Sequence, residues 1–548
     1  MTSPTLTLKS LLAIIVLALP LITTSCGDVY RPVAQVIPGT PPNPAAVHFV
    51  IAVNANGTTD AGSASHLDVS GDTNLGVLQT GLKPLHATLL PNASKLYIAN
   101  FGDDTVTENA PSNPTTTSTI SLQQGAKPVF LHTAESSNVY VANYGNDTVS
   151  VINAASNVVT ASVPVGANPV AMAEMPNAQK VYVANQGSNN ISVINVVDDS
   201  VGATIGLGTA PVWLAARSDS ARIYVLDNSG LVSAIDTQTD SVKSSTVSAT
   251  AGAGANFIFL DSKAQRLYVT NPNPSNHTLS IFDISEANPN VPVNPVATLD
   301  ISQGASPAFL PVSVTGIGDG SRAYVATYEL TNCQGLSASF PCLNTAVAVI
   351  NVGNNTITKF VHVASGVPVD TSNSDGCGGT TLPNASPWTP ASGARFRLST
   401  TSSGGGSTSN FKVYVAQCDA QNVAVIDTFP ANGNPADTFA GVTVPAPLSA
   451  FPGQQLSISA ASQTDATSNT PPTTTYTYTL TSGTGLQVGM SIFISGMTDV
   501  GNNGNFVISA LGSGTFTVNN PSGVTNSAQS GVGAILPRQN PVFMVAGP

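Results

Sequence analysis

The sequence is poor in charged residues, which make up 8% of its 548 residues, against about 25% in a typical soluble domain. The 17 lysines and arginines are scattered and the net charge is −12, so there is no basic stripe of the kind that binds nucleic acid. Hydrophobic residues still make up 42% of the chain, which excludes disorder through low hydropathy. With 47 glycines and 39 prolines, long helices are excluded too, and an all-β protein is expected.

The chain also lacks a hydrophobic run long enough to cross a bilayer as a helix, for which about 20 residues are needed. The apolar segment 11–22 follows Lys9 and is typical of a secretory signal. The sequence Thr23-Thr24-Ser25-Cys26 resembles a bacterial lipobox, with Thr23 where that pattern usually has Leu. The resemblance implies a signal peptide over 1–25, lipidation of Cys26 and a tether over 26–46. Ordinary secretion with a free Cys26 and an uncleaved anchor are the alternatives.

A phrase built around one tyrosine recurs at intervals of about 42 residues, with two longer intervals near its end. Each unit carries four short β-branched segments bounded by turn residues, and the first segment follows a Gly-x-x-Pro step. Four strands per unit of this length predict the blade of a β-propeller. The tyrosines of these units are Tyr97, Tyr140, Tyr182, Tyr224, Tyr268, Tyr324 and Tyr414.

The phrases Tyr-Val-Ala-Asn (140–143), Val-Ser-Val-Ile-Asn (149–153) and Val-Gly-x-x-Pro (165–169) resemble the bacterial YVTN β-propeller repeat family of surface and secreted lipoproteins. The resemblance covers roughly residues 47–445 and implies the fold without implying an activity. The tyrosine rings are expected to lie between blades with their hydroxyls at an edge. The strand-end asparagines are expected to bond the hairpin backbone through Asx-type bonds, and asparagine tolerates left-handed geometry; they are Asn100, Asn143, Asn185 and Asn271.

The blade count favours eight, and one degenerate unit would make it seven. Residues 49–54, 66–70 and 75–80 are predicted as strands two to four of an eighth blade, and 541–545 as its first strand, which would close the ring and remove the exposed sheet edges. The propeller is therefore predicted over 47–445 plus 539–548. Residues 446–538 contain alternating segments and predict a small inserted β-sandwich or barrel.

The long insertions are predicted to leave the propeller on one side. Residues 328–345 interrupt a loop between second and third strands, and 367–393 extend a connection between blades, as does the inserted module. Such loops emerge at one face, which we call the insertion face, where binding residues commonly lie. Neutral loop drift is the alternative. Residues 399–410 are rich in Gly and Ser and predict a flexible loop on the opposite face.

The five cysteines include no Cys-x-x-Cys pair and no Cys/His spacing typical of a metal site. With Cys26 assigned to lipid, the predicted disulfides are Cys333–Cys342 and Cys377–Cys418, one of three connectivities. They imply an oxidising compartment.

Sequence motifs for catalysis are missing: the chain has no Gly-x-Ser-x-Gly elbow, P-loop or dinucleotide fingerprint. His86, His132 and Glu174 lie on predicted channel-lining strands, and Trp388 lies in a Pro-rich loop of the insertion face. These four are the candidate binding residues. The alternative for the histidines is a polar core or channel role, and for Trp388 a cap on the propeller.

Together these features predict a lipid-anchored envelope propeller at the outer membrane or cell surface. It would act as a binding or structural scaffold for a protein or polysaccharide partner, with no nucleic acid and no membrane contact beyond the anchor. The alternative is a lactonase-like or other metal-dependent hydrolase at the channel mouth. Ca²⁺ would suit it but has no motif here, no other cofactor is expected, and the lack of a convergent catalytic set favours a protein that is not an enzyme.

Overall fold

The computed structural model describes most of the chain after the first 48 residues. The described residues are 49–55, 61–112, 117–133, 138–243, 249–285, 295–304, 308–332, 341–369, 375–379, 388–390, 393–405, 410–428, 430–431, 434–435, 437–443, 455–464, 473–480, 486, 491–520, 523–527, 530–535 and 540–547. The predicted signal peptide, the tether, Cys26 and Cys333 lie outside them.

Short β-strands make up nearly all of the regular structure. In chain order the strands of the first half are β1 (Phe49–Asn54), β2 (Ala61–Asp68), β3 (Thr73–Leu82), β4 (Pro84–Leu89), β5 (Leu96–Asn100), β6 (Thr105–Asn109), β7 (Thr117–Ser121), β8 (Pro128–Thr133), β9 (Asn138–Asn143), β10 (Thr148–Asn153), β11 (Val158–Pro164), β12 (Pro169–Glu174), β13 (Lys180–Asn185), β14 (Asn190–Asn195), β15 (Ser200–Gly206), β16 (Pro211–Ala216), β17 (Arg222–Asp227), β18 (Leu231–Asp236), β19 (Ser241–Val242), β20 (Ala249–Thr250), β21 (Phe257–Asp261), β22 (Arg266–Asn271), β23 (Thr278–Asp283) and β24 (Ala297–Asp300).

The second half continues with longer strands and a short 3-10 turn at Val500–Asn502. Its strands are β25 (Leu310–Gly316), β26 (Arg322–Asn332), β27 (Pro341–Asn351), β28 (Thr356–Pro368), β29 (Leu398–Gly405), β30 (Asn410–Gln417), β31 (Asn422–Asp427), β32 (Pro430–Ala431), β33 (Asn434–Pro435), β34 (Thr438–Thr443), β35 (Gln455–Thr464), β36 (Thr473–Leu480), β37 (Ser491–Ser495), β38 (Gly504–Gly512), β39 (Thr515–Asn519), β40 (Gly531–Ile535) and β41 (Pro541–Ala546).

Eight antiparallel sheets, each built on four strands, arise from the described strands. Six use consecutive strands, β4–β7, β8–β11, β12–β15, β16–β19, β21–β24 and β25–β28; the other two are β29-β30-β31-β34 and β41-β1-β2-β3. The first strand of each sheet contacts the first strand of the next, and β41 contacts β4, so the inner strands form a closed ring. Radial four-stranded sheets around a ring make a β-propeller, as predicted, and we call each sheet a blade.

The ring is closed by strands from the two ends of the chain. β41 pairs antiparallel with β1, with Val545 opposite Ile51. The pairing is extended at both ends, where the Ala55 amide donates to the Asn540 carbonyl at 2.9 Å and the Gly547 amide to the Phe49 carbonyl at 2.8 Å. The strand that the sequence places at the far end of the chain therefore completes the N-terminal blade.

The repeated tyrosines connect neighbouring blades. The Tyr182 ring is fully buried, and its hydroxyl donates at 2.6 Å to Asp240 in the turn between the third and fourth strands of the next blade. Asp240 has a left-handed backbone (φ 48°) and also accepts from Lys180 at 2.7 Å. We call this contact the tyrosine latch. It recurs in the pairs Tyr97–Asn157, Tyr140–Asp199, Tyr324–Asp437 and Tyr414–Asp72.

The strand-end asparagines bond differently from the prediction. Asn143 is not left-handed, and its amide donates to the Thr148 and Ser150 hydroxyls of the third strand at 2.9 and 2.8 Å. The same pattern holds for Asn100 and Asn185. The left-handed residue is instead the one before the third strand, such as Asp147. Asn271 does accept the predicted Asx-type bond, from the Asn273 amide at 3.0 Å.

Two predicted loops are partly strands. Residues 328–332 and 341–345 lengthen β26 and β27 into a long hairpin, with Tyr328 opposite Thr345. The predicted flexible loop over 399–410 is wrong for residues 399–405, which belong to β29, an inner strand. Its hydroxyls bond the neighbouring blade, since Ser402 donates to the Gly316 carbonyl at 2.7 Å. Interstrand partners of this kind turn a Ser-rich segment into a strand that composition alone assigns to a loop.

The inserted module is a closed barrel, with strand order β35-β36-β39-β38-β37-β40, which decides between the sandwich and the barrel. Its core includes Tyr476 and Phe516, whose rings stack at 5.2 Å. The 3-10 turn covers this core, and the Tyr476 hydroxyl donates to the Asn502 carbonyl at 3.0 Å. Among the described residues, no helix has the length and apolar character needed to cross a membrane.

We expect Tyr414→Phe to weaken the latch that joins the last blade to the first. Removing the hydroxyl deletes the 3.0 Å bond to Asp72 and should lower the free energy of unfolding by about 0.5–1.5 kcal/mol. Tyr144→Phe is the control, because Tyr144 is half-buried outside the latches, and it should change stability by less than about 0.5 kcal/mol. Urea denaturation measures both, and equal effects would contradict the assignment.

Candidate functional site

A layer of aromatic side chains closes the channel at the centre of the ring. It contains His86, Phe130, Trp213, Phe257 and Phe543 from five inner strands. The His86 ring lies 4.0 Å from Phe130 and 4.1 Å from Phe543, and the Trp213 ring lies 5.5 Å from Phe130 and 4.9 Å from Phe257. We call this layer the aromatic collar. Stacked and edge-to-face rings at such distances pack favourably.

The segment before β29 sits on the collar from the insertion face. Phe396 inserts its ring 5.6 Å from Trp213 and 5.2 Å from Phe257. The Arg395 guanidinium lies 4.4 Å from the Trp213 ring centre and 5.3 Å from that of Trp388, an arrangement stabilised by cation–π attraction. We call Trp388, Arg395 and Phe396 the channel plug.

Trp388 covers the plug and is not presented to solvent. It is 7% exposed, and its indole donates to the Gly393 carbonyl at 3.3 Å. The cap given as the alternative for Trp388 describes its position.

Arg395 is held by backbone rather than by carboxylates. Its guanidinium donates to the Val170 carbonyl at 2.7 Å and to the Val212 carbonyl, so it ties the plug to two neighbouring inner strands. Burial lowers the pKa of Arg395. Within the described part of the chain, it forms no ion pair with an aspartate or glutamate.

A second arginine and a disulfide fasten the insertion next to the plug. Arg397 is fully buried and pairs with Asp419 at 2.8 Å. The adjacent Cys377–Cys418 disulfide has a Cα–Cα distance of 5.7 Å, as the predicted pairing requires. Asn540 donates to the Cys418 carbonyl at 2.9 Å, which joins this group to the closing strand β41.

Cys342 is also disulfide-bonded. Its partner lies outside the described residues, and the Cys333–Cys342 pairing stays a prediction.

The buried acidic groups near the disulfide form an ion pair and a hydrogen bond within the protein. Asp375, Cys377 and Asp419 come close enough to hold a cation. The Cys377 sulfur is in the disulfide, however, and thiolate rather than disulfide sulfur binds metals. Asp419 already pairs with Arg397, and Asp375 accepts from the Cys377 amide at 2.9 Å. These donors fit a structural clasp better than a metal centre.

The other predicted binding residues fall into two places. His132 and Glu174, on neighbouring inner strands, approach to 3.8 Å between Nε2 and Oε2, near the end of the channel opposite the plug. His86 belongs to the collar, where its Nδ1 accepts from the Leu131 amide at 3.3 Å. Burial, and then the charges of Arg395 and His132, hold the pKa of His86 well below its usual range.

Arg395 and Phe396 are site residues that the sequence motifs do not indicate. They precede a Ser/Thr-rich segment whose composition predicts a loop, so the sequence does not show that they lie at the start of an inner strand. Two features of the sequence could have found them: arginine is scarce in this chain, and Arg395 and Arg397 alternate just before a strand.

A cavity beside the collar contains no acid–base pair. It is lined by Phe257, Phe259, Ser313, Val314, Thr315, Phe396, Ser399, Thr400, Phe543 and Met544.

No protein-family model matches the sequence, and no curated protein matches it. Similar solved structures include Kuenenia stuttgartiensis hydrazine synthase, at 17% identity and a TM-score of 0.40, covering 56% of this chain and 78% of that one. The β-propeller domain of Myceliophteria thermophila Cps50 (Swd1) matches at 11% identity and a TM-score of 0.39, covering 51% and 86%. A functionally unknown protein from Desulfotomaculum acetoxidans matches at 12% identity and a TM-score of 0.40, covering 72% and 99%. At these identities the likeness concerns the fold alone.

We expect the stability of the protein to fall as the pH is lowered from about 6.5 to 4, partly through His132. Burial lowers the pKa of His132 to about 4, whereas an unfolded histidine titrates near 6.5. The unfolded chain then binds the extra proton, so the stabilisation is complete above about pH 6.5 and is lost below it. His132→Gln should reduce this loss by up to about 3 kcal/mol.

Urea denaturation at a series of pH values measures this loss. His362→Gln, at an exposed position, is the control. A His132→Gln profile that falls as steeply as the wild type would contradict a neutral buried His132.

Proposed function

We propose that the protein is a lipid-anchored β-propeller of the cell envelope that binds a partner, protein or polysaccharide, through its insertion face. The observation that carries this proposal is the channel plug. In a propeller with an active site at the channel mouth, the mouth has to admit a substrate. Here Trp388, Arg395 and Phe396 fill the mouth on the side of the insertions.

The fastening of that face also supports a binding role. The Cys377–Cys418 disulfide and the Arg397–Asp419 pair hold the described residues around Cys377 and Arg397 against the end of β30, so this part of the insertion face is fixed before a partner arrives. A pre-organised surface loses less conformational entropy on binding than a mobile loop. Loops fixed on a rigid scaffold are the usual place for recognition.

A hydrolase is less well supported by the described residues. Glu174 and Asp261 are both buried, but Asp261 accepts from the Ala264 amide at 2.8 Å in its own turn. The carboxylates near the channel therefore do not converge on one ion as a metal-dependent mechanism requires.

The anchor is tested by Cys26→Ser in the full chain. If Cys26 carries the lipid, the variant should no longer incorporate labelled fatty acid, and the protein should move from the membrane fraction to the soluble fraction, because acyl chains supply the membrane affinity. Cys342→Ser is the matched control and should stay with the membrane. Continued membrane partitioning of the Cys26→Ser protein would contradict the anchor.

The binding face is tested by photo-crosslinking in intact cells. A photoreactive residue at Thr389, which is exposed beside the plug, should form adducts with the partner. The control is the same residue at Gln179, which is exposed in a turn between β12 and β13 on the opposite face. Adducts at Gln179 alone, or at neither position, would contradict a partner at the insertion face.

A further inference from the structure

Two cations that have no acidic partner among the described residues lie on the insertion face of a protein with a negative net charge. The chain carries a net charge of −12 and only 17 lysines and arginines, yet Lys83 and Arg395 both contact the short segment around the plug. Lys83 donates to the Pro390 carbonyl at 2.8 Å, two residues beyond Trp388. Lys83 therefore contacts this segment at Pro390, and Arg395 contacts it at Trp388.

Neither cation has an acidic partner among the residues whose positions are described. The ion pairs there involve other lysines and arginines, including Lys127 with Asp104 at 3.4 Å and Arg397 with Asp419 at 2.8 Å. In the part of the chain that the structure describes, the contacts of Lys83 and Arg395 are with carbonyl oxygens and aromatic rings. Buried or partly buried charges are normally paired, because desolvation of a lone charge is costly.

The geometry of both side chains leaves donors unused. A guanidinium has five N–H donors, and Arg395 uses two groups on the Val170 and Val212 carbonyls. An ammonium has three donors, and Lys83 uses one on Pro390. Burial lowers the pKa of Lys83 as well, as expected of a cation that gains no opposite charge on folding.

Lys127 provides a comparison within the same fold. Lys83 and Lys127 each precede the proline that begins an inner strand, have similar left-handed backbones (φ 48° and 50°), and lie over the same Phe101 ring at 5.1 and 5.7 Å. Lys127 is paired with Asp104, whereas Lys83 is turned toward the plug. Because the two lysines share the same repeat geometry, comparing them tests the effect of the unpaired charge and not that of the backbone position.

We propose that Lys83 and Arg395 form a binding site for an oxyanion, a carboxylate or a phosphate, carried by the ligand of the insertion face. The inference deepens the proposed function and rests on it for the identity of the face. The oxyanion accepts N–H groups of both cations and supplies a negative charge that neither has among the described residues, next to the rings of Phe101 and Trp388. Charge-assisted hydrogen bonds of this kind are shorter and stronger than neutral ones.

Calorimetric titration of the full chain in detergent, at low ionic strength, tests the site with three probes. Galacturonate carries a carboxylate, galactose is its neutral counterpart, and inorganic phosphate is an oxyanion without a sugar. We expect galacturonate to bind and galactose not to bind. Binding of phosphate as tight as that of galacturonate would support an oxyanion site that does not read the sugar, and weaker binding would support a carboxylate site.

The variants assign the binding to these two side chains. Lys83→Gln and Arg395→Gln should each weaken galacturonate binding by about tenfold or more, and Lys127→Gln should change it by less than about twofold. Thermal melts report whether each variant is folded, and Lys83→Gln decides the case if Arg395→Gln does not fold. Equal binding of galactose, no binding of either anion at about 10 mM, or unchanged binding in Lys83→Gln would overturn the proposal.

The two proposals fail separately. If a partner crosslinks at Thr389 but neither anion binds, the oxyanion site is wrong and the binding face stands. If galacturonate binds through Lys83 but no partner crosslinks at Thr389, the oxyanion site stands and the larger interface is wrong.

Discussion

Pairing between the first and last described strands is the constraint on which the rest of the molecule depends. Without a last strand, the N-terminal blade would expose the edge of β1. Here β41 fills the inner position of the N-terminal blade, and the latch from Tyr414 to Asp72 fixes the same junction from the blade edge. Asn540 then connects the closing strand to the Cys377–Cys418 disulfide. Closure of the ring and fastening of the insertion are therefore one connected structure.

That connection explains why the channel is filled on the insertion side. The disulfide and the Arg397–Asp419 pair hold the chain where Arg395 and Phe396 reach the aromatic collar. Arg395 bonds to carbonyls of two inner strands, so the plug also braces the ring. Among the residues that the structure describes, Arg395 has no acidic partner, and this cation makes the plugged face a candidate for recognition of a negative group.

Much of the fold follows from the sequence because it is repeated. The tyrosine phrase, the four strand signals and the Pro541 segment predict the blades and the closure. The acceptors of the tyrosine hydroxyls were not predictable, because Asp240 or Asp72 meets its tyrosine only when blades pack. The Ser-rich β29 was missed for the same reason: Gly316 and Ser313 of the neighbouring blade supply its hydrogen-bond partners. Of the candidate site, His132 and Glu174 were placed on the right strands, while Arg395 depended on locating β29.

The chain has only two tryptophans, Trp213 and Trp388, and both contact Arg395, so intrinsic fluorescence measures the plug directly. Acrylamide quenching of the native protein is the decisive measurement. A plugged mouth predicts blue-shifted emission and weak quenching of both residues, since both are less than a tenth exposed, and a Trp388→Phe variant should show that neither residue alone accounts for the signal. Strong quenching that disappears in Trp388→Phe would show an open, solvent-filled mouth and would contradict the account.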